Sequence, residues 1–326
     1  MKILVTGANG LLGHHVVMQL LERGEEVKII VRSLKNIYFN LDNIEVIEGN
    51  FTSVRQLQVA AAGCDAIIHI AAVTATDLLR YDDYSTVNVF GSENIINTAK
   101  KIGIKKIVFI STANTIGYGT KENNSNEESP IEFPFSQSYY ARSKVEAEKR
   151  FIDFSTGDGM HVIIINPAFM IGSFDTKPSS GKLMLMGYRK KWMFAPRGGK
   201  SFVAVTDVAT AVCNALTMGV NGKRYLAAGE NLSFGEFYKM QSRVGEYHQK
   251  IIELPDFLLE MVGKVGDLLR LLGIRTEVCS MNLNQLMIRE YYESQRCIKE
   301  LKMPQKKLET AILEALEWFC RNGKIS

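Results

Sequence analysis

The chain has 326 residues, 46% hydrophobic and 23% charged, with 26 Gly and 7 Pro. These are ordinary globular values that exclude a disordered or fibrous chain. The net charge of +4 is small and spread along the sequence, giving no reason to invoke nucleic acid or an anionic membrane surface as partner.

Met1-Lys2-Ile3-Leu4-Val5-Thr6 opens as a strand, with too few apolar residues before Gly7 for a signal-peptide core. Short, β-branched runs at 3–5, 27–31, 44–47, 66–70, 107–110 and 162–165 then alternate with helical patterns at 11–23, 54–61, 83–101 and 139–154. Unbroken apolar runs mark strands buried on both faces. The series predicts an α/β fold, a Rossmann-type doubly wound parallel sheet with helices on both sides. Residues 111–138, including the polar run 121–129, read as a long surface loop running toward the site. Further strands are expected at 202–205 and 225–227 around an apolar helix at 207–218.

From Glu230 onward the pattern is mainly helical and predicts a smaller lobe. Residues 1–170 and 200–228 are expected to form the dinucleotide-binding domain, and 171–199 with 229–326 the substrate-binding lobe. Within that lobe Leu258, Met261, Val262, Val265, Leu268, Leu269 and Leu272 form an apolar stripe at helical spacing. It is expected to pack on its own lobe, in preference to a second copy or a membrane. No stretch approaches the roughly 20 apolar residues of a membrane-spanning helix.

Cys64, Cys213, Cys279, Cys297 and Cys320 lack C-x-x-C spacing. Neither a disulfide framework nor a metal site is expected, and the set fits a reducing, cytoplasmic setting.

Thr6-Gly7-Ala8-Asn9-Gly10-Leu11-Leu12-Gly13 joins the first strand to the first helix. Glycine at 7 permits a tight turn, at 10 an approach of backbone amides to a pyrophosphate, and at 13 close helix–strand packing. The helix N-terminus adds amides and partial positive charge. The second strand ends Val31-Arg32-Ser33 without the carboxylate that would accept from a ribose 2′-OH. Arg32, with Ser33 and Lys35 nearby, suits a 2′-phosphate instead. NADP(H) is therefore favoured over NAD(H).

Tyr140 and Lys144 are one helical turn apart and share a face. A phenol is too weak an acid for proton exchange near neutrality, and a neighbouring ammonium is expected to lower its pKa. Ser111 and Thr112 end the fifth strand at the edge where ligands bind in such sheets. His69 reads as structural, His14 and His15 as part of the first helix, and Glu127-Glu128 as solvated. The basic run Tyr188-Arg189-Lys190-Lys191-Trp192 could attract an anionic substrate but reads first as a solvated helix end.

With these residues in this order, the chain resembles an extended short-chain dehydrogenase/reductase over nearly its full length. The similarity is carried by Thr6–Gly13, Asp65–Ala72, Asn88, Ser111-Thr112, Tyr140/Lys144, Asn166–Gly172 and Phe202–Ala209. The resemblance implies that Tyr140 is the acid/base, that Lys144 holds the nicotinamide ribose, and that Thr112 supplies the catalytic hydroxyl. It implies a cofactor-contacting set of Gly7, Asn9, Gly10, Leu11, Leu12, Gly13, Arg32, Asn50, Phe51, Ile70, Ala71, Ala72, Asn88, Tyr140, Lys144, Pro167 and Met170. Asn88 is also implied to hold the geometry of the active-site helix.

Three departures narrow the branch. Ala113-Asn114 stands where nucleotide-sugar dehydratases have Asp-Glu. Lys200 stands near the place of the epimerases' diphosphate-binding Arg, and keeps a charge without the guanidinium fork. Asn50 replaces the acid after the third strand. The sequence is closest to the dihydroflavonol-reductase-like branch, which interconverts ketones and secondary alcohols. The rivals are a nucleotide-sugar epimerase and a non-catalytic dinucleotide-binding redox sensor. A homodimer through 83–101 and 139–154 is a further expectation of the resemblance.

Overall fold

Runs that are apolar on both pleat faces are stable only where helices cover both sides of the sheet, and the N-terminal half folds that way. The computed structural model describes residues 1–157, 159–178 and 180–325. In chain order come β1 (Lys2–Thr6), α1 (Leu11–Glu22), β2 (Glu26–Val31), β3 (Ile44–Glu48), α2 (Val54–Ala61) and β4 (Ala66–His69). Next are α3 (Asp82–Asn88), α4 (Phe90–Ile102), β5 (Lys106–Ile110), α5 (Tyr139–Ser155), β6 (His161–Pro167) and β7 (Phe169–Ile171). Then follow α6 (Gly181–Gly187), β8 (Trp192–Ala195), β9 (Gly199–Ala204), α7 (Val205–Met218), β10 (Arg224–Ala227) and β11 (Glu230–Ser233). The chain closes with α8 (Phe234–Val244), β12 (Lys250–Glu253), α9 (Asp256–Leu271), α10 (Ser280–Met287), β13 (Arg289–Glu290), α11 (Gln295–Leu301) and α12 (Leu308–Arg321).

Seven strands, ordered β10-β6-β5-β4-β1-β2-β3, pair in parallel throughout. Val16, Val17, Val208 and Val212 of α1 and α7 seal one face, and Leu57, Ile95 and Phe151 of α2, α4 and α5 the other. The strand order reverses between β1 and β4, which opens a crevice at their C-terminal ends. The helix expected at 83–101 is divided at Val89 into α3 and α4.

The second half departs from expectation in four ways. First, the strand expected at 202–205 starts at Gly199 and leaves the main sheet. It pairs instead with β7, β11 and β13, because Phe202 stacks on Phe237 of α8 in a separate core, ring centroids 4.3 Å apart. Second, three short strands, β11, β12 and β13, are set into the mainly helical region beyond Glu230. Its α11 returns to pack on α7 and β10.

Third, Glu127 is buried rather than solvated. Its Oε1 accepts from the Leu226 amide at 2.9 Å, while Glu128 is exposed and pairs with Arg296. Glu127 thereby pins the long 111–138 loop, which carries short helical turns at Ala113–Thr115 and Phe135–Gln137, to β10.

Fourth, the apolar stripe of α9 faces outward. Met261, Val265 and Leu268 are 62%, 61% and 59% exposed, while the buried side consists of Leu259, Gly263 and Gly266. A Cβ on Gly266 would lie 1.7 Å from the Val278 carbonyl oxygen. Close packing on α10 thus selects the glycine face and turns the large side chains away. Among the described residues, no helix is long and apolar enough to cross a membrane.

Candidate active site

The crevice is built from the first turn outward. Gly7 has φ +75°, and a Cβ there would sit 2.7 Å from the Ala71 amide nitrogen. One on Gly13 would sit 2.1 Å from the Gly7 carbonyl oxygen. Only glycine lets α1 and the loop after β4 approach β1 this closely. Thr6 Oγ1 fixes that loop by accepting from the Ile70 and Ala71 amides, both at 3.2 Å. Gly10 caps α1 without a capping side chain, and the first turn holds no acid. Its amides and dipole therefore present a site for an anion.

The resulting crevice, about 630 Å³, is lined by Gly7, Asn9, Gly10, Leu11 and Leu12, by Arg32, Asn50 and Phe51, and by Ile70, Ala71 and Ala72. Thr112, Tyr140, Lys144, Pro167 and Met170 line its other end. An anion cradle in mid-crevice with a cation at the end of β2 fits a dinucleotide. Two expected residues stand behind the wall. Gly13 lies under Gly7, and buried Asn88 faces α5. Asn50 turns its amide oxygen onto the Thr52 amide, 3.1 Å, within its own loop.

His69 is structural, with Nδ1 2.8 Å from Thr6 Oγ1 and burial pushing its pKa from 6.5 to about 3. The unfolded ring takes a proton near pH 6.5 and the folded ring does not until about 3. In that window the unfolded state binds the extra proton, so acid costs stability. His69→Gln is expected to flatten the fall in Tm between neutral pH and about pH 4; an unchanged slope in thermal melts would remove His69 from the acid response.

The first turn of α5 carries Tyr140, Ser143 and Lys144. Asn88 Nδ2 donates to Ser143 Oγ at 3.0 Å, and Ser143 Oγ donates to the Tyr140 carbonyl at 2.7 Å. Asn88 also holds both the amide and the carbonyl of Val73. This clamp sets the helix start against the loop after β4. Lys144 Nζ donates to the Ile110 carbonyl at 2.6 Å and lies 4.2 Å from the Phe109 ring centre.

Electrostatics here run against expectation. Enclosure pushes the Tyr140 phenol up to about 12, the hydrogen bond with Thr112 opposing it, and burial pushes Lys144 down to about 7. The reason is that desolvation of a charged form outweighs partner effects for these enclosed groups, and the ammonium is turned onto Ile110 rather than toward the phenol.

A second cavity, about 940 Å³, adjoins the crevice. Its wall combines Thr74–Thr76, Leu78, Tyr84, Asn114, Gln137–Tyr140, Phe169, Lys177 and the α9–α10 segment with Asp267, Arg270, Leu271 and Met281. The α9–α10 unit is tied across its mouth. Arg270 donates to the Leu78 carbonyl, and Asn282 Nδ2 to the Thr76 carbonyl at 2.9 Å.

The sequence model of the NAD dependent epimerase/dehydratase family matches residues 3–228. The chain belongs to this family. It is thus an NAD(P)-dependent enzyme of the oxidoreductase/epimerase type, within the extended short-chain dehydrogenase/reductase superfamily. Among its relatives, sterol demethylase protein B of Methylococcus capsulatus is 27% identical over the full length of both chains. A dihydroflavonol 4-reductase-like protein of Synechocystis sp. is 27% identical over 98% of this chain and 95% of its own. The crystal structure of gox2253 superposes with a TM-score of 0.86 at 27% identity, over 100% of this chain and 99% of that one.

The site of this family member also holds residues that motif reading missed. Glu148 is buried one turn after Lys144, and its Oε1 accepts from Thr115 Oγ1 and from Asn166 Nδ2, both at 2.7 Å. The spacing of Lys144 and Glu148 was visible in the sequence, but the convergence of β6 and the 113–115 turn on that carboxylate was not. Arg270 and Tyr84 enter through docking of remote segments and left no local signal. Lys200, expected to keep a charge for a phosphate, is instead paired with buried Glu290 and largely enclosed, and desolvation pushes its ammonium down to about 7.

Proposed function

We propose that this enzyme reduces a ketone, or oxidises the matching secondary alcohol, with NADP(H), and that Thr112, Tyr140 and Lys144 form its catalytic set. One observation carries the reading. Of these three residues, Tyr140 alone lines both the dinucleotide crevice and the adjoining cavity. Its phenol keeps its proton at neutral pH, as a general acid for carbonyl reduction requires.

When bound, the nicotinamide supplies the hydride. Tyr140 gives its proton to the substrate oxygen, and Thr112, on the same crevice wall, orients that oxygen. Lys144, on the crevice wall, holds the ribose in this reading. Asn88 and Ser143 keep the start of α5 in register. The likeness to a dihydroflavonol 4-reductase-like protein supports ketone chemistry, and the inward pairing of Lys200 with Glu290 weighs against a nucleotide-sugar diphosphate at that position. A carbonyl panel that never oxidises NADPH in the presence of the purified protein would overturn this reading.

Arg32 is exposed at the end of β2, and its neighbours on the crevice wall, Gly49, Asn50 and Phe51, carry no acid. A guanidinium there favours a 2′-phosphate. Arg32→Ala is expected to weaken NADPH about tenfold, with NADH little changed, in fluorescence titrations. Equal losses for both would assign Arg32 a role other than phosphate recognition.

A further inference from the structure

The outward face of α9 takes no part in the proposed chemistry. At about 3.6 residues per turn, Phe257, Leu258, Met261, Val265, Leu268 and Leu272 fall on one side, and all are exposed. Glu260 and Lys264 border that side, while Asp267 and Arg270 point to the cavity and to α10. A soluble helix normally shows the reverse arrangement, apolar side in and charges out.

Immediately upstream, the β8–β12 ribbon leads into this helix and also exposes large apolar side chains. Met193 and Ala195 are buried against the lobe, whereas Trp192 and Phe194 are 48% and 54% exposed. Lys250 lies 4.8 Å from the Trp192 ring centre, and Arg189, Lys190 and Lys191 stand exposed just before it. Aromatic rings interleaved with lysine and arginine, next to a charge-free apolar helix face, suit the boundary between lipid headgroups and acyl chains.

Charge, rather than area, selects the occupant. A bilayer needs no matching partner surface, and the cations near Trp192 complement anionic headgroups.

We propose that α9, with the exposed face of the β8–β12 ribbon, is an interfacial docking surface that seats this enzyme on a lipid bilayer carrying anionic headgroups. The small net charge of the whole chain does not express this, because it sums over the entire surface, whereas Lys190, Lys191 and Lys250 stand beside Trp192. The opposite side of α9 walls the larger cavity, and Leu271, 84% exposed, also lines it. The cavity therefore opens beside the docking face.

The test is flotation of the full chain with vesicles of phosphatidylcholine alone and of phosphatidylcholine with one-third phosphatidylglycerol. The protein is expected to float with the anionic vesicles and more weakly with the neutral ones. Val265→Glu/Leu268→Glu is expected to cut the bound fraction about tenfold with an unchanged thermal melt, since both side chains are exposed. Wild-type protein that stays at the bottom of both gradients, or a double variant that floats as well as wild type, would overturn the proposal. A concentration-dependent dimer abolished by the same variant, without vesicle binding, would also overturn it and give the face to a second copy.

Discussion

Replacing Tyr140 by Phe is expected to lower carbonyl turnover by about 10²- to 10⁴-fold, with thermal stability and dinucleotide affinity close to wild type. The ring stays in place, so the packing of α5 and the clamp through Asn88 and Ser143, which grips the backbone carbonyl of residue 140, are untouched. What disappears is the phenol proton at the place where the crevice and the larger cavity meet. Enclosure holds that phenol near 12, so it is fully protonated at neutral pH and the deficit is expected to be the same at neutral and mildly alkaline pH. Steady-state rates with the preferred dinucleotide, beside a binding titration of the same variant, check this. Turnover within a factor of about two of wild type would remove Tyr140 from the chemistry.

Gly13→Ala is the second large effect. A Cβ at this position falls 2.1 Å from the Gly7 carbonyl oxygen and 2.8 Å from Ala8 Cα. Both are backbone atoms and cannot rotate away. Either α1 lifts from β1 or the Gly7 turn opens, and both movements displace the amides at the helix N-terminus. Overpacking of this kind costs about 1–3 kcal/mol, which is expected as a Tm lowered by several degrees. Dinucleotide affinity is expected to fall at least about tenfold, because the anion cradle is made of the atoms that move. Thermal melts and NADPH fluorescence titration read the two effects separately. An alanine variant with wild-type affinity would show that the crevice does not depend on this contact.

These effects concern the part of the molecule most legible from sequence. Strand and helix periodicity, the glycine spacing 7-10-13 and the 140/144 pair are local patterns, set by residues within a turn or a pleat of each other. They gave the parallel sheet, its helices and the glycine turn, while the resemblance to a known family implied seventeen cofactor-contacting residues, of which all but Gly13 and Asn88 line the crevice. Misreadings arose wherever a residue's environment is made by a distant segment. Glu127 looked solvated in a polar run, yet Leu226, 99 residues away, supplies its hydrogen bond. Lys200 looked free to hold a phosphate, yet Glu290 on β13 claims it. Lys144 was expected to acidify Tyr140, but burial, which periodicity does not report, pushes the phenol the other way.

The helix at 256–271 shows the division most clearly. Its amphipathic pattern is a property of the sequence alone, because helical spacing fixes which residues share a side. Which side turns inward is not so fixed. The close approach of Val278 and Ser280 admits only the glycine side of α9, and packing between segments, decided only in the tertiary structure, left the apolar side in the open.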